Sequence, residues 1–419
     1  MSDTSYSLGE RPPAAAQAPS SPRAVCAPDK PLQLGILGGG QLGRMLALAA
    51  IPLGVHCRFL VASQREATQI LGDCFYLNDA ATEQAFSAGL SAITAEYEAV
   101  DAQLLLRLEH TTPVWPSAST LQRKRDRRAE RALLAELNLP QPKWASTPGT
   151  RTHAADEPDE MQQLLQAAVR QVGLPCRVKT AFGGYDGQGQ WAVRTQTDLQ
   201  QIDTRAGPFV VEAEVPFDFE FSLLGAFSGC ADATAVQAEA PAGQVCFWTP
   251  TINTHVRGIL LRSETVQEQL PQPLRQEAER IARTLGQALH YRGVLAIEFF
   301  CVGGQLFINE FAPRVHNTGH WTIEGAQTSQ FANHVRAVLG LPLGATTQRC
   351  QCISWNVLGQ WPDKSALLRI PGLHVHDYGK SPRPGRKLGH VTLIDTSPDD
   401  PRVAQVEGLL VTSLQDGHL

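Results

Sequence analysis

Apolar and polar positions alternate along this chain in blocks whose period switches between that of a strand and that of a helix. The first ordered block is the short apolar run Leu32-Gln-Leu-Gly-Ile-Leu, followed by Gly38-Gly-Gly-Gln-Leu-Gly43 and a helical pattern over residues 44–50. Residues 55–61 and 91–94 repeat the strand pattern, and the unit closes near Val114-Trp115-Pro116. Strand, glycine turn and helix in that order predict a parallel, doubly wound α/β unit over residues 32–116. Residues 117–137 then predict one long helix, with Leu121, Leu133, Leu134 and Leu137 toward a core.

A proline-punctuated stretch, 140–158, leads into a second α/β segment. Residues 209–215 and 217–224 alternate as half-buried strands do. In the second, Phe217, Phe219, Phe221 and Leu223 share one face, and Asp218, Glu220 and Ser222 the other. Residues 268–289 predict an amphipathic helix, and 293–311 two strands around Gly303-Gly304. From Gln351 onward, short strands and turns predict a small β-rich domain over 351–419, which leaves a central domain over 117–350. Residues 1–31 hold Ala, Pro and Ser without an apolar core segment, and are expected to be a disordered tail rather than a secretory signal.

Composition narrows the function. A chain of 419 residues exceeds one compact core. Its 36 basic and 41 acidic side chains give a net charge of −5, so no global basic field favours nucleic acid. The basic run 123–128 is expected to be a solvated helix face. No apolar stretch approaches the ~18–20 residues of a membrane helix. Nine cysteines without metal-type spacing fit a reducing cytoplasm.

Four motifs carry candidate chemistry. Gly38-x-Gly40-x-x-Gly43 has the context of a phosphate-approaching turn. The next strand, however, ends Val61-Ala62-Ser63, with no carboxylate before Glu66 to bond a ribose. The glycines are therefore expected to let the backbone approach another phosphate or a small substrate. Lys179 precedes Gly183-Gly-Tyr-Asp-Gly-Gln-Gly189, whose glycines can expose successive N–H groups to phosphate oxygens.

Glu298 and Glu310 are the expected Mg²⁺ ligands, since that ion takes one or two carboxylates together with substrate phosphates. A three-residue loop, Gly303-Gly304-Gln305, would pair Val302 with Leu306 and set Glu298 opposite Glu310. A two-residue loop would set Asn309 there instead and turn Glu310 to the other face. The first is predicted. Arg314, His316, Asn317 and His320 follow at once. Pro313 and Gly319 argue against a zinc site on a continuous helix, and an anion pocket is the expected arrangement. Near the end, residues 378–390 form a basic loop rigidified by Pro and Gly that could hold a phosphate monoester.

Taken together, GGGQLGRM (38–45), GGYDGQGQ (183–190), APRVHNTGHW (312–321) and RPGRKLGH (383–390) resemble the ATP-grasp 5-(carboxyamino)imidazole ribonucleotide synthetases, the ATP-dependent carboxylases of bacterial and fungal purine synthesis. The resemblance spans residues 34–394. It implies an ATP-grasp fold, α/β and α+β, with an N-terminal Rossmann-like preATP-grasp domain, a flap over about 145–215 and a small C-terminal domain.

The resemblance also implies site residues. Arg127 and Lys179 would contact ATP phosphates, with Gly184, Tyr185, Asp186, Gly187, Gln188, Gly189 and Gln190 closing over them. Glu212, Ala213, Glu214 and Val215 would face adenine, Glu220 the ribose, and His255 the nucleotide site. Glu298 and Glu310 would hold Mg²⁺, with Asn309 alongside. Arg314, His316 and Asn317 would bind bicarbonate, and Asp186 would lie between the two substrates. Tyr185, Lys380, Arg386 and Lys387 would hold aminoimidazole ribonucleotide, with Glu98 and Gln41 nearby. The family usually has Arg or Lys where this chain has Gln188, and Lys where it has Arg131. A cytoplasmic homodimer is the implied state, and Tyr185 is expected to belong to a lid. The rival readings are a formate-using glycinamide ribonucleotide transformylase, a non-catalytic nucleotide sensor, and a nicotinamide oxidoreductase disfavoured by the missing acid.

Overall fold

In a computed structural model of the chain, residues 31–62, 68–77, 79–149, 158–184, 189–229, 243–266 and 270–415 are described. The tail expected over 1–31 falls almost wholly outside them, as do Tyr185, Asp186, Gly187 and Gln188.

The N-terminal unit is a parallel four-stranded sheet in the order Asp73–Tyr76, His56–Val61, Gln33–Leu37, Ala92–Ala95. The helix Gln41–Ala50 follows the glycine turn as the sequence predicts, and buries Leu42, Met45, Leu46 and Ala50. Strand 73–76 was not anticipated; all four of its residues are at least partly exposed, so it lacks an apolar signature.

The predicted long helix over 117–137 is two helices, Ala118–Arg125 and Arg127–Glu136. Asp126 between them is extended, at φ −110° and ψ 113°. Its backbone bridges to Phe182, and the Arg127 N–H donates to Ala181 O at 2.9 Å. Its side chain caps the second helix by accepting the Arg128 N–H at 2.9 Å. The break replaces helical hydrogen bonds with partners from the segment just before the glycine-rich loop, and it turns Arg127 inward.

Strands Trp144–Ser146, Phe209–Ala213, Cys176–Thr180 and Gln190–Val193 make a second four-stranded sheet. The largest sheet runs Gln305–Ala312, Arg292–Val302, Phe219–Ser228, Thr251–Val256, Ile259–Thr265, Cys352–Leu358, Lys387–Ile394, Leu373–Asp377. The C-terminal strands therefore continue the central sheet through Ile259–Thr265 pairing with Cys352–Leu358. The predicted helix over 268–289 is Gln272–Ala288, starting directly after Pro271. Phe221 and Leu223 pack under that helix, while Leu224 on the opposite face joins the core beneath the helix Gln330–Val338. No helix among the described residues is long and apolar enough to cross a membrane.

The turn of the 292–312 hairpin differs from the prediction. Val302 pairs with Gln305, so the loop has two residues, Gly303 and Gly304, both at positive φ. Even so, Glu298 stands opposite Glu310, because the register shifts between Glu298 and Phe299 and Phe299 faces Ile308. Asn309 is the extra residue of a β-bulge. Arg131 donates to the carbonyls of Ile308, at 3.1 Å, and Asn309.

Candidate active site

The ends of these elements wall one cavity of about 790 Å³. Most of the residues expected to act together meet there: Gln41, Glu98, Arg127, Lys179, Gly184, Gln190, Glu212, Ala213, Glu214, Val215, Glu220, His255, Glu298, Asn309, Glu310, Arg314, His316, Asn317 and Lys387. Lys380 reaches the wall indirectly by donating to Gln41 Oε1. Arg386 bonds Ser381 O at 3.3 Å within its own loop and is not among the lining residues. Gly189 holds the far end of the glycine loop, at φ 67°, where a Cβ would fall 2.7 Å from Thr180 Oγ1.

Opposite charges organise the nucleotide side of the cavity. Glu212 takes Arg131 Nε at 2.8 Å on one oxygen and Lys179 Nζ at 2.7 Å on the other. Burial alone would raise the Glu212 carboxyl, but Arg131 and Lys179 outweigh it and hold it down at about 2. Lys179 is lowered from its usual value, chiefly by burial. Arg127 Nη1 lies 3.3 Å from Glu310 Oε2, and its Nη2 donates to Gly184 O at 3.1 Å. Arg127 thus ties the glycine loop to the hairpin. His255 Nδ1 lies 2.6 Å from Glu220 Oε1. Burial opposes protonation of His255, yet the Glu220 hydrogen bond and the Glu298 charge raise it.

Burial, then the charge of Glu310, raises Glu298 above the ordinary carboxylate range. Glu310 is held well below that range; burial opposes this, but Lys124 and Arg127 prevail. Two carboxylates facing across a hairpin, Glu298 mostly buried and Glu310 half-buried, with the Asn309 amide 3.3 Å from Glu298, form an oxygen-rich site on the cavity wall. That donor set fits Mg²⁺ completed by phosphate oxygens. Among the described residues no cluster of three or more His, Cys, Asp or Glu is placed to hold a metal by itself.

On the adjoining wall Arg314 Nε pairs with Glu98 Oε1 at 2.8 Å, which joins two segments more than 200 residues apart. Gln330 grips the backbone of His316, its Oε1 accepting the N–H at 2.8 Å and its Nε2 donating to the carbonyl at 2.6 Å. Burial, with Arg314 nearby, pushes His316 down to about 3, so its ring is neutral. With Thr318 on Nδ1, the His316 Nε2 stands 3.6 Å from Glu298 Oε1. Asn317 starts a short 3₁₀ turn, Asn317–Gly319. A fixed guanidinium, a neutral imidazole and an amide make an anion pocket, and His316 and His320 do not share a helix.

The sequence reading missed several features. The turn at 38–43 is filled from within: the N–H groups of Gly40 and Gly43 donate to the two Glu96 oxygens at 2.5 and 2.6 Å. The close backbone approach expected for a phosphate serves this carboxylate. The pattern Glu96-Tyr-Glu98, just past Ala92–Ala95, could have marked it, because ligand-facing groups gather at the carboxyl ends of parallel strands. The basic run is not a solvated face either, since Lys124, Arg125 and Arg127 line the cavity. Phe217 and Phe300 stack at 4.8 Å and also line it, a pairing that no local pattern reveals.

Comparison with known proteins agrees with this geometry. Models of three domain families match in order: ribonucleotide synthetase preATP-grasp domain over 32–124, ATP-grasp domain over 148–331, and phosphoribosylaminoimidazole carboxylase C-terminal domain over 352–402. The chain is 38% identical over 385 residues to the N5-carboxyaminoimidazole ribonucleotide synthase of Pseudomonas aeruginosa, covering 90% of this chain and 99% of that protein. The crystal structure of N5-carboxyaminoimidazole ribonucleotide synthetase from Thermus thermophilus superposes with a TM-score of 0.77 at 39% identity, over 90% of this chain and 98% of that one. The Staphylococcus aureus N5-carboxyaminoimidazole synthetase complexed with ADP gives 0.76 at 28% identity, over 90% and 96%. With an ATP-grasp domain set between a preATP-grasp domain and this C-terminal domain, the chain belongs to the N5-carboxyaminoimidazole ribonucleotide synthase family of ATP-dependent ligases.

Proposed function

We propose that the chain carboxylates the exocyclic amine of 5-aminoimidazole ribonucleotide with bicarbonate, converting ATP to ADP and phosphate, in purine biosynthesis. One observation carries this reading. A single cavity joins the half-buried cations Arg127 and Lys179, a facing carboxylate pair, an Arg-His-Asn anion pocket, and a wall bearing Gln41, Glu98 and Lys387. The names of the relatives, and the ADP bound in the Staphylococcus aureus structure, support it.

In this scheme a bicarbonate oxygen attacks the γ-phosphorus and the bond to the ADP oxygen breaks, which gives carboxyphosphate. Arg127 and Lys179 supply charge to the transferring phosphoryl group. Mg²⁺ held by Glu298 and Glu310 would add further positive charge at the phosphates. Arg314, fixed by Glu98, and the neutral His316 and Asn317 hold the bicarbonate. Loss of phosphate from carboxyphosphate then leaves CO₂ in a walled site, where water would otherwise intercept the anhydride. The amine nitrogen captures that carbon, and its proton passes to the phosphate just released. Gln41, Glu98, Lys380 and Lys387 would hold the ribonucleotide. A cytoplasmic homodimer is part of the same proposal; the free thiols of Cys57, Cys176 and Cys301 suit a reducing compartment.

Phosphate release from MgATP, with and without the ribonucleotide and bicarbonate, tests the scheme. Release that requires both, with a labile carboxylated product, is expected. Release indifferent to both would overturn it and send attention to formate as the acid.

A further inference from the structure

Lys124 and Glu130 flank the helix break at Asp126, and both are buried, with side chains 9% and 1% exposed. The ammonium donates to both Glu130 oxygens, at 2.9 and 2.8 Å. Such a pair is a weak source of net stability, because desolvation offsets most of the attraction. Its surroundings give it a more specific part. Glu130 Oε1 accepts the backbone N–H of Phe311 at 3.0 Å, one residue beyond Glu310 and at the edge of the bulge. Lys124 Nζ also stands 3.5 Å from Glu310 Oε2 and 5.2 Å from the centre of the Phe311 ring. The pair thus touches both the backbone next to Glu310 and its carboxylate.

We propose that Lys124 and Glu130 are a positioning pair that aims the Glu310 carboxylate and sets how readily it accepts Mg²⁺. The inference rests on the metal reading of Glu298 and Glu310. Its sign follows from the charged and titratable groups around Glu310, which are Lys124 and Arg127 nearest, Lys179 and His316 beyond them, and Glu298 opposite. Glu130 draws the Lys124 ammonium to 2.8 Å, against 3.5 Å from Glu310, and so offsets part of the Lys124 charge that would otherwise compete with a divalent ion at Glu310. With Glu130 neutral, the whole ammonium charge turns on Glu310 and competes with the metal. With Lys124 neutral, Glu130 becomes a further uncompensated carboxylate, and the Mg²⁺-free protein suffers most.

Thermal unfolding of the full chain, titrated with MgCl₂ at saturating ADP, separates these effects. Glu130→Gln keeps an acceptor for the Phe311 N–H, and should raise the Mg²⁺ concentration needed for half-maximal stabilisation about tenfold. Lys124→Met should lower the melting temperature without Mg²⁺ and enlarge the gain that Mg²⁺ brings. Lys124→Arg should restore the wild-type midpoint. Variants that lose the same stability with and without Mg²⁺, at an unchanged midpoint, would show an ordinary core pair and overturn the inference. If the wild-type chain itself gained nothing from Mg²⁺, the metal reading would fall, and this inference with it. Glu130→Gln decides the matter even if Lys124→Met does not fold.

Discussion

Glu298 faces Glu310 across the 292–312 hairpin although the two-residue Gly303-Gly304 turn, taken alone, would have set Asn309 there. The bulge at Asn309 restores the pairing, and the carbonyls of Ile308 and Asn309 that it reorients are held by Arg131. A mostly buried carboxylate and a half-buried one are thereby brought face to face, the pattern expected where a site takes a divalent cation.

Glu298→Gln should therefore separate stability from function. Burial and Glu310 raise the Glu298 carboxyl above its ordinary 4.5, so the folded state binds its proton more tightly than the unfolded chain does. The stability this contributes is full below pH 4.5 and is lost as pH rises through the raised value. In Mg²⁺-free buffer the variant should gain on the wild type as pH rises toward neutrality, while MgATP turnover falls at least about a hundredfold. A melting-temperature gap that stays constant with pH would contradict this account.

Glu96→Ala should unsettle the substrate wall through the N-terminal helix. The substitution leaves the N–H groups of Gly40 and Gly43 without their acceptor, at a cost of about 3 kcal/mol. Gln41, which accepts from Lys380, begins that helix. Denaturant unfolding should show the loss, and steady-state kinetics a KM rise for the ribonucleotide larger than that for ATP. Equal rises would place Glu96 outside the substrate wall.

How far the sequence discloses the molecule depends on how local each cause is. The strand-turn-helix at 33–50 is legible because period, glycines and apolar face all lie within about 20 residues. The anion pocket is legible because Arg314, His316 and Asn317 are contiguous. The break at Asp126 is not, since its partners Ala181 and Phe182 lie more than 50 residues away and the run itself reads as helix. The bulge at Asn309 is hidden for the same reason, being secured by Arg131. The Glu96 carboxylate does not follow from the glycine turn, because the same backbone N–H groups suit a carboxylate or a phosphate oxygen, and only Glu96-Tyr-Glu98 at the strand end tells the two apart.

Glu212→Ala should be among the most damaging single changes in the cavity wall. It strands Arg131, which is 2% exposed, and Lys179 without their shared counter-charge, at about 3–5 kcal/mol. Because Glu212 is held at about 2 against an ordinary 4.5, its contribution is present above pH 4.5 and lost as pH falls toward 2. The variant should consequently lose the part of the wild-type acid transition that lies in that window, as urea unfolding at stepped pH would reveal. An acid transition with the same shape in both proteins would exclude Glu212 as its source.

His334 should contribute in a different pH window, at the seam between the N-terminal unit and the central sheet. Its Nδ1 accepts the Val294 N–H at 3.0 Å, so Nε2 carries the hydrogen and donates to Thr94 Oγ1 at 2.8 Å. Burial pushes the ring from its ordinary 6.5 down to about 3, because a proton would place a charge in an apolar seam. Between those values the unfolded chain binds one more proton than the folded one at this site. Stability from His334 is therefore full above pH 6.5 and falls by up to about 1.4 kcal/mol per pH unit as pH drops toward 3. His334→Gln, neutral throughout, should be less stable than the wild type at pH 7, with the difference shrinking steadily from pH 6.5 downward. Buried His316, His320 and His390 are also held low, chiefly by burial, and remain in both proteins, so they cancel in the comparison. A difference that did not change between pH 6.5 and 3 would mean that the seam accommodates a charged ring.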